Sequence, residues 1–141
     1  MKRTLAFFLL MLFLPLFTGC SLTTTSTTVS TEPGTTYEYD DFSDLLINSP
    51  EDQLTRPETD YYIYFYGEHC YLCQTIKQEA LAYIASLETD KVYLVRVSSY
   101  DDINEAIDFP GTPSIAHIVA YESVNVEKGE SGVLGVLENL T

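Results

Sequence analysis

Basic side chains are scarce in this chain of 141 residues: seven lysines and arginines stand against twenty-one aspartates and glutamates, for a formal net charge of −14. Nucleic acids and anionic membrane surfaces are bound through clustered cations, so both are poor candidates as partners. The acid keeps the protein soluble beside a negatively charged envelope. Cysteine is scarce too, with only three in the chain, and there are only two histidines. A framework of several disulfides is therefore excluded. A structural zinc site needs four ligands, which Cys70 and Cys73 could complete only if His69 and His117 converged on them. No internal repeat is visible. The longest apolar run, Leu5 to Leu16, is too short to span a bilayer comfortably.

What the N-terminus does contain is ordered. Lys2 and Arg3 form a short basic stretch, the apolar run follows, and Phe17-Thr-Gly-Cys20 is a small-residue cleavage site ending in cysteine. That pattern is a secretory signal peptide. Its terminal cysteine makes it resemble the bacterial lipoprotein signal, with Phe17 where leucine is more common. The resemblance implies cleavage after Gly19 and lipid attachment to Cys20. The expected organisation is a signal over 1–19, a lipid-anchored linker over 20–36 and one domain over 37–141. Cleavage would remove Lys2 and Arg3 and leave the acidic residues untouched, so any membrane attachment rests on the lipid. The linker is dominated by serine and threonine, cannot bury a core, and reads as a flexible tether. About 105 residues remain from Tyr37, enough to fold without disulfide staples.

Within the domain, Asp40 to Ile47 reads as a short helix and Asn48 to Thr59, with Pro50 and Pro57, as loop. Tyr61 to Tyr66 has no polar face, which fits a central strand covered on both sides. Cys73, Ile76, Ala80, Ile84 and Leu87 recur at helical spacing, so Gln74 to Leu87 reads as a helix with one buried stripe. Val92 to Val97 is a second strand, and Asp101 to Asp108 a short acidic helix ended by Pro110-Gly111. Ser114 to Tyr121 and Val124 to Lys128 read as two strands joined tightly. A last helix carries Val133, Val136, Leu137 and Leu140, capped by Ser131. The order predicts an α/β domain with a mixed sheet and helices on both faces.

The chemistry concentrates in Tyr61-Tyr-Ile-Tyr-Phe-Tyr-Gly-Glu-His-Cys-Tyr-Leu-Cys73. A buried strand ends at a glycine, and a Cys-x-x-Cys pair opens the next helix. A thiol there meets unpaired backbone N–H groups and the positive end of the helix dipole, which favour its thiolate. With Cys20 assigned to the lipid, Cys70 and Cys73 have only each other. A permanent bridge over so short a loop would remove little chain entropy, so structural stapling is a poor reason for it. Reversible exchange is the better reading. Cys70 is expected to be the exposed attacking thiolate and Cys73, one turn in on the apolar stripe, the resolving thiol. Glu68 opposes the thiolate, and His69 assists it when protonated.

With Gly111-Thr-Pro-Ser114 directly before a strand, and a strand pair and closing helix after it, the domain resembles the thioredoxin superfamily. The arrangement is also similar to small extracytoplasmic thioredoxin-like lipoproteins of Gram-positive bacteria. The resemblance implies a cis bond between Thr112 and Pro113 facing the disulfide. Thr112 would offer its backbone to a substrate chain, and Tyr71 would pack on that chain. Thioredoxins proper carry tryptophan before the first cysteine, Gly-Pro between the two and a buried acid on the preceding strand. Here those places hold His69, Tyr71-Leu72 and Tyr64, and Arg96 falls where a lysine is common. The implied protein is a monomer without cofactor or metal, lipid-anchored on the outer face of the cell membrane. It would act as a thiol–disulfide oxidoreductase on exported protein substrates, with a membrane redox partner. The alternative is a binding or accessory lipoprotein that keeps the fold without turnover.

Overall fold

The computed structural model of the protein describes residues 34–88 and 91–141. The expected signal segment, Cys20 and most of the tether lie outside the described residues. Among the described residues, no helix is long and apolar enough to cross a membrane. The elements follow in the order β1 (Asp60–Tyr66), α1 (Tyr71–Ser86), β2 (Val92–Arg96), β3 (Ser114–Val119), β4 (Glu122–Lys128) and α2 (Gly129–Glu138), with 3-10 turns at Tyr39–Leu45, Pro50–Leu54 and Tyr100–Asp102.

The strands form one sheet in the order β2-β1-β3-β4. The unbroken apolar character of β1 places it inside the sheet, where Tyr61, Ile63, Tyr64 and Phe65 have no exposed surface. It pairs in parallel with β2, from Tyr62↔Val92 to Tyr66↔Arg96. Parallel neighbours need a long crossover, and α1 supplies it. β1 pairs antiparallel with β3, from Asp60↔Val119 to Phe65↔Ser114. The ends of β1 and β2 and the start of β3 therefore share one edge of the sheet. That edge carries the Cys-x-x-Cys segment, the chain after Arg96 and the Thr112-Pro113 loop.

Both faces of the sheet are covered, by different means. On one, Cys73, Ile76, Ala80, Leu81 and Ile84 of α1 and Val133 and Leu137 of α2 pack on Tyr64, Tyr66, Leu94 and Ile115. On the other, Ile47, Ile103, Ile107 and Phe109, supplied by loops, cover Ile63, Phe65, Val95, Ala116 and Ile118. The helices of this second face are the short turns Pro50–Leu54 and Tyr100–Asp102, whereas Tyr39–Leu45 packs on the first face.

Several element boundaries differ from the sequence reading. α1 begins at Tyr71 rather than Gln74, because the Cys70 side chain accepts the Cys73 N–H and caps the first turn. The segment expected to form an acidic helix makes one turn, Tyr100–Asp102. Its side chains bond to nearby backbone instead: Asp102 Oδ2 accepts the N–H groups of Ser98 and Ser99, and Asn104 Oδ1 accepts that of Ala106. α2 starts at Gly129 after Lys128, with Ser131 inside it and no side-chain cap. The expected loop over 48–59 contains the turn Pro50–Leu54. The β3–β4 hairpin closes on Ala120 and Tyr121, at φ 50° and 69°. Such a turn normally uses Asn-Gly, which is why the sequence reading carries the first strand on to Tyr121 and begins the second only at Val124.

Candidate dithiol–disulfide site

β1 ends at Gly67, and the chain turns at once into α1. The Cys70 N–H donates to the Gly67 carbonyl at 3.3 Å, closing that turn. A side chain on Gly67 has little room: its Cβ would lie 3.3 Å from Cys70 Cβ, 3.3 Å from Thr112 Oγ1 and 3.5 Å from the Val97 carbonyl oxygen. The glycine lets the three segments at this edge approach one another. They enclose a cleft of about 580 Å3 lined in part by His69, Cys70, Arg96, Ser98 and Thr112.

Cys70 and Cys73 are joined in a disulfide, with Cα atoms 5.2 Å apart. Their surroundings differ. Cys70 is the N-cap of α1 and half-buried, and its Sγ accepts the Cys73 N–H at 3.1 Å. Cys73 is fully buried in the helix-covered core. The turn between them exposes Tyr71 at 82% and Leu72 at 43%. The Thr112-Pro113 peptide bond is cis. Pro113 is buried and its carbonyl accepts the Gly129 N–H at 2.8 Å. Thr112 is half-buried, and among the described residues no backbone group bonds to its N–H or C=O.

Beside Cys70, Glu68 pairs with Arg96, Nη1 to Oε1 at 2.9 Å, and Gln74 Nε2 donates to the Glu68 carbonyl at 3.2 Å. The carboxylate nearest the disulfide in sequence is thus matched by a cation. On the helix-covered face the position expected of a buried acid holds Tyr64, whose hydroxyl lies 3.4 Å from that of Tyr39. Burial pushes the Tyr64 phenol far above its ordinary range, with Tyr39 adding to the effect. Burial likewise pushes Tyr66 up to about 12. Both remain neutral phenols at physiological pH, so Tyr64 offers no buried negative charge.

Of the residues singled out in the sequence, His69, Cys70 and Thr112 line one cleft, while Tyr71, Cys73 and Pro113 are their neighbours in the chain. His117 stands apart. It pairs with Asp60 at 2.8 Å, stacks on Tyr62, and lies three residues along β3 from Ser114, about 10 Å by strand rise. It does not converge on the cysteines. Missing from the sequence reading were the close approach at Gly67, the contribution of Tyr39, and the anchoring of the loop after β2. The last had a signal: Ser99-x-x-Asp102 is a capping-box spacing, and the box is formed.

No family model matches the chain, and no curated protein does. Solved structures do. A thioredoxin from Malassezia sympodialis superposes with a TM-score of 0.50 at 18% identity, covering 67% of this chain and 88% of its own. Mitochondrial thioredoxin 3 from Saccharomyces cerevisiae, in its oxidised form, gives 0.50 at 13% identity, covering 67% and 91%. At such identities the likeness is one of fold. The chain has a thioredoxin-like fold, and the resemblance to that superfamily stands at this level. A Cys-x-x-Cys disulfide opening the first α-helix of that fold supports a redox function of the thiol–disulfide exchange type.

Proposed function

We propose that the protein is a thiol–disulfide oxidoreductase of exported proteins, tethered outside the cytoplasm through a lipid on Cys20 and working as a monomer with a membrane redox partner. The asymmetry of the two sulfurs carries this reading: Cys70 is half-exposed at a helix N-terminus, and Cys73 is fully buried one turn in. Backbone N–H groups and the helix dipole favour a thiolate on Cys70.

In the reducing direction, the Cys70 thiolate attacks one sulfur of a client disulfide. The client S–S bond breaks as the mixed disulfide forms, and the departing client sulfur takes a proton from solvent. Cys73 then gives up its proton and attacks the Cys70 sulfur. This closes the Cys70–Cys73 bond and releases the second client thiol. Oxidation of a client is the same sequence reversed, and the potential of the pair against its partner sets the direction. A client chain pairing with Thr112 would align its disulfide with Cys70, with His69 and Tyr71 flanking it.

Trapping is the test. Cys73→Ala should accumulate mixed disulfides with exported proteins, because attack proceeds and resolution cannot; Cys70→Ala should trap far fewer. Alkylation of the reduced protein near neutral pH should label Cys70 first. Equal labelling with no trapped client in either variant would overturn the reading in favour of a non-catalytic accessory role. Cys20→Ala should release the protein from membranes, and unchanged retention with normal processing would remove the tether from the account.

A further inference from the structure

A second cavity, a groove of about 630 Å3, lies on the loop-covered face between Tyr100 and Phe109 and is somewhat larger than the cleft at the disulfide. Its apolar lining comes from Tyr100, Ile103, Ile107 and Phe109, and its rim carries Glu51, Asp101 and Glu105 with no basic side chain. Tyr100 is 77% exposed, its ring edge-on to Phe109 at 5.8 Å, and Phe109 in turn packs on Phe65 of the core at 5.4 Å.

The walls are held in place. Gln53 is buried, donating from Nε2 to the Asp102 carbonyl at 2.6 Å and accepting the Asn104 N–H at 2.9 Å. Asn104 Nδ2 donates to the Pro50 carbonyl at 3.0 Å. The groove is therefore formed before anything enters it. The same stretch of chain builds the disulfide cleft: Arg96, Val97, Ser98 and Thr112 line the cleft, and Tyr100 and Phe109 begin the groove just beyond. Phe109 of the groove packs on Phe65, near the end of β1 that leads into the Cys-x-x-Cys segment.

We propose that this groove is a second docking subsite for the client polypeptide, selecting a basic, partly apolar segment next to the disulfide presented to Cys70. The proposal rests on the oxidoreductase reading above and adds a substrate class to it. Charge complementarity identifies the occupant. Three carboxylates around an apolar floor favour lysine or arginine stems over acidic chains, because the stems bury methylene groups while the charged head stays at the rim. The chemical step is unchanged; the groove adds affinity and orientation, not a reacting group.

Two disulfide-containing peptides, alike except for a lysine- and arginine-rich or a glutamate-rich flank with the same apolar residues, give the test. The expected ratio of kcat/KM, basic over acidic, is about three- to tenfold at low salt, three exposed charge pairs together supplying that much, and it should shrink at high salt. The ratio should collapse toward one in Glu51→Gln/Asp101→Asn/Glu105→Gln and fall in Tyr100→Ser. Glu122→Gln, at the opposite end of the sheet, should leave the ratio as it is. Direct titration of the oxidised protein with the same peptides, their cysteines replaced by serine, reads the groove without turnover. Equal affinity for both, or a preference that survives the triple variant, overturns the groove whatever the turnover. A preference in binding with no exchange on any disulfide, small or large, leaves the groove standing and overturns the oxidoreductase reading instead.

Discussion

One face of the sheet is covered by two α-helices and the other by loops and 3-10 turns, and the two coverings do different work. Under the helices, side chains from α1 and α2 interlock over tyrosines of β1, and Cys73 is one of the buried residues. That face buries the Cys73 sulfur among apolar and aromatic side chains. Under the loops, fewer apolar side chains bridge to the sheet, and polar anchors such as Gln53 and Asp102 hold the chain between them. That face leaves grooves open. The contrast places dense packing around the buried sulfur and open grooves on the loop side.

The sharpest way to break the contrast is to cut a cavity on each face. Leu81 has no exposed surface. Leu81→Ala should cost about 2–5 kcal/mol. Ile103→Ala, half-buried on the loop face, should cost about 1 kcal/mol, near the middle of the range for ordinary substitutions. Denaturant midpoints at constant m-value check both, and equal losses would remove the distinction.

A smaller effect is expected at Gln53. Gln53→Ala strips partners from the Asp102 carbonyl and the Asn104 N–H and should cost about 1–3 kcal/mol. Amide exchange should speed up at residues 102–107 and stay unchanged in α1. Protection lost evenly over the molecule would show that the loop face is no separate unit.

Acid should act next, and on the loop face first. The backbone N–H groups of Ser99 and then Ser98 hold the Asp102 carboxyl below its ordinary value of 3.8. A depressed folded value means the stabilisation is fully present above 3.8 and disappears as pH falls through the lower folded value. Protection of the amides at residues 98–103, relative to their intrinsic exchange at each pH, should therefore fall in that acidic window, and Asp102→Asn should show the lower protection already at neutral pH. The smallest change is expected from Tyr64→Phe, which loses one long hydroxyl contact on the helix face, within about 1 kcal/mol. The pH dependence of exchange chemistry should keep its shape in that variant, because Tyr64 is a neutral phenol throughout the working range.

Sequence made the helix-covered face easy to read and the loop-covered face hard. The stripe Cys73, Ile76, Ala80, Ile84 and the unbroken apolar strand over 61–66 are periodic signals, and periodicity survives folding because it is what the core selects. The cysteine pair was legible from its local spacing at a strand-to-helix turn, whereas the proline loop was legible only through the resemblance to thioredoxins. The loop face depends on bonds between distant positions, Gln53 to Asn104 and Pro50 to Asn104, which no local pattern announces. Charges over 101–108 suggested a helix, whereas short polar side chains there bond to nearby backbone and stop it after one turn. The Ala120-Tyr121 turn was hidden for a related reason: neither residue is one that a positive φ normally selects.

The tyrosines of β1 carry an optical consequence. With no tryptophan in the chain, its eleven tyrosines dominate the near-ultraviolet emission. Tyr64 and Tyr66 share a packed cluster with Cys73, and a disulfide quenches excited phenols close to it. Opening the Cys70–Cys73 bond should therefore brighten the protein's own fluorescence, so that its redox state is read without any label.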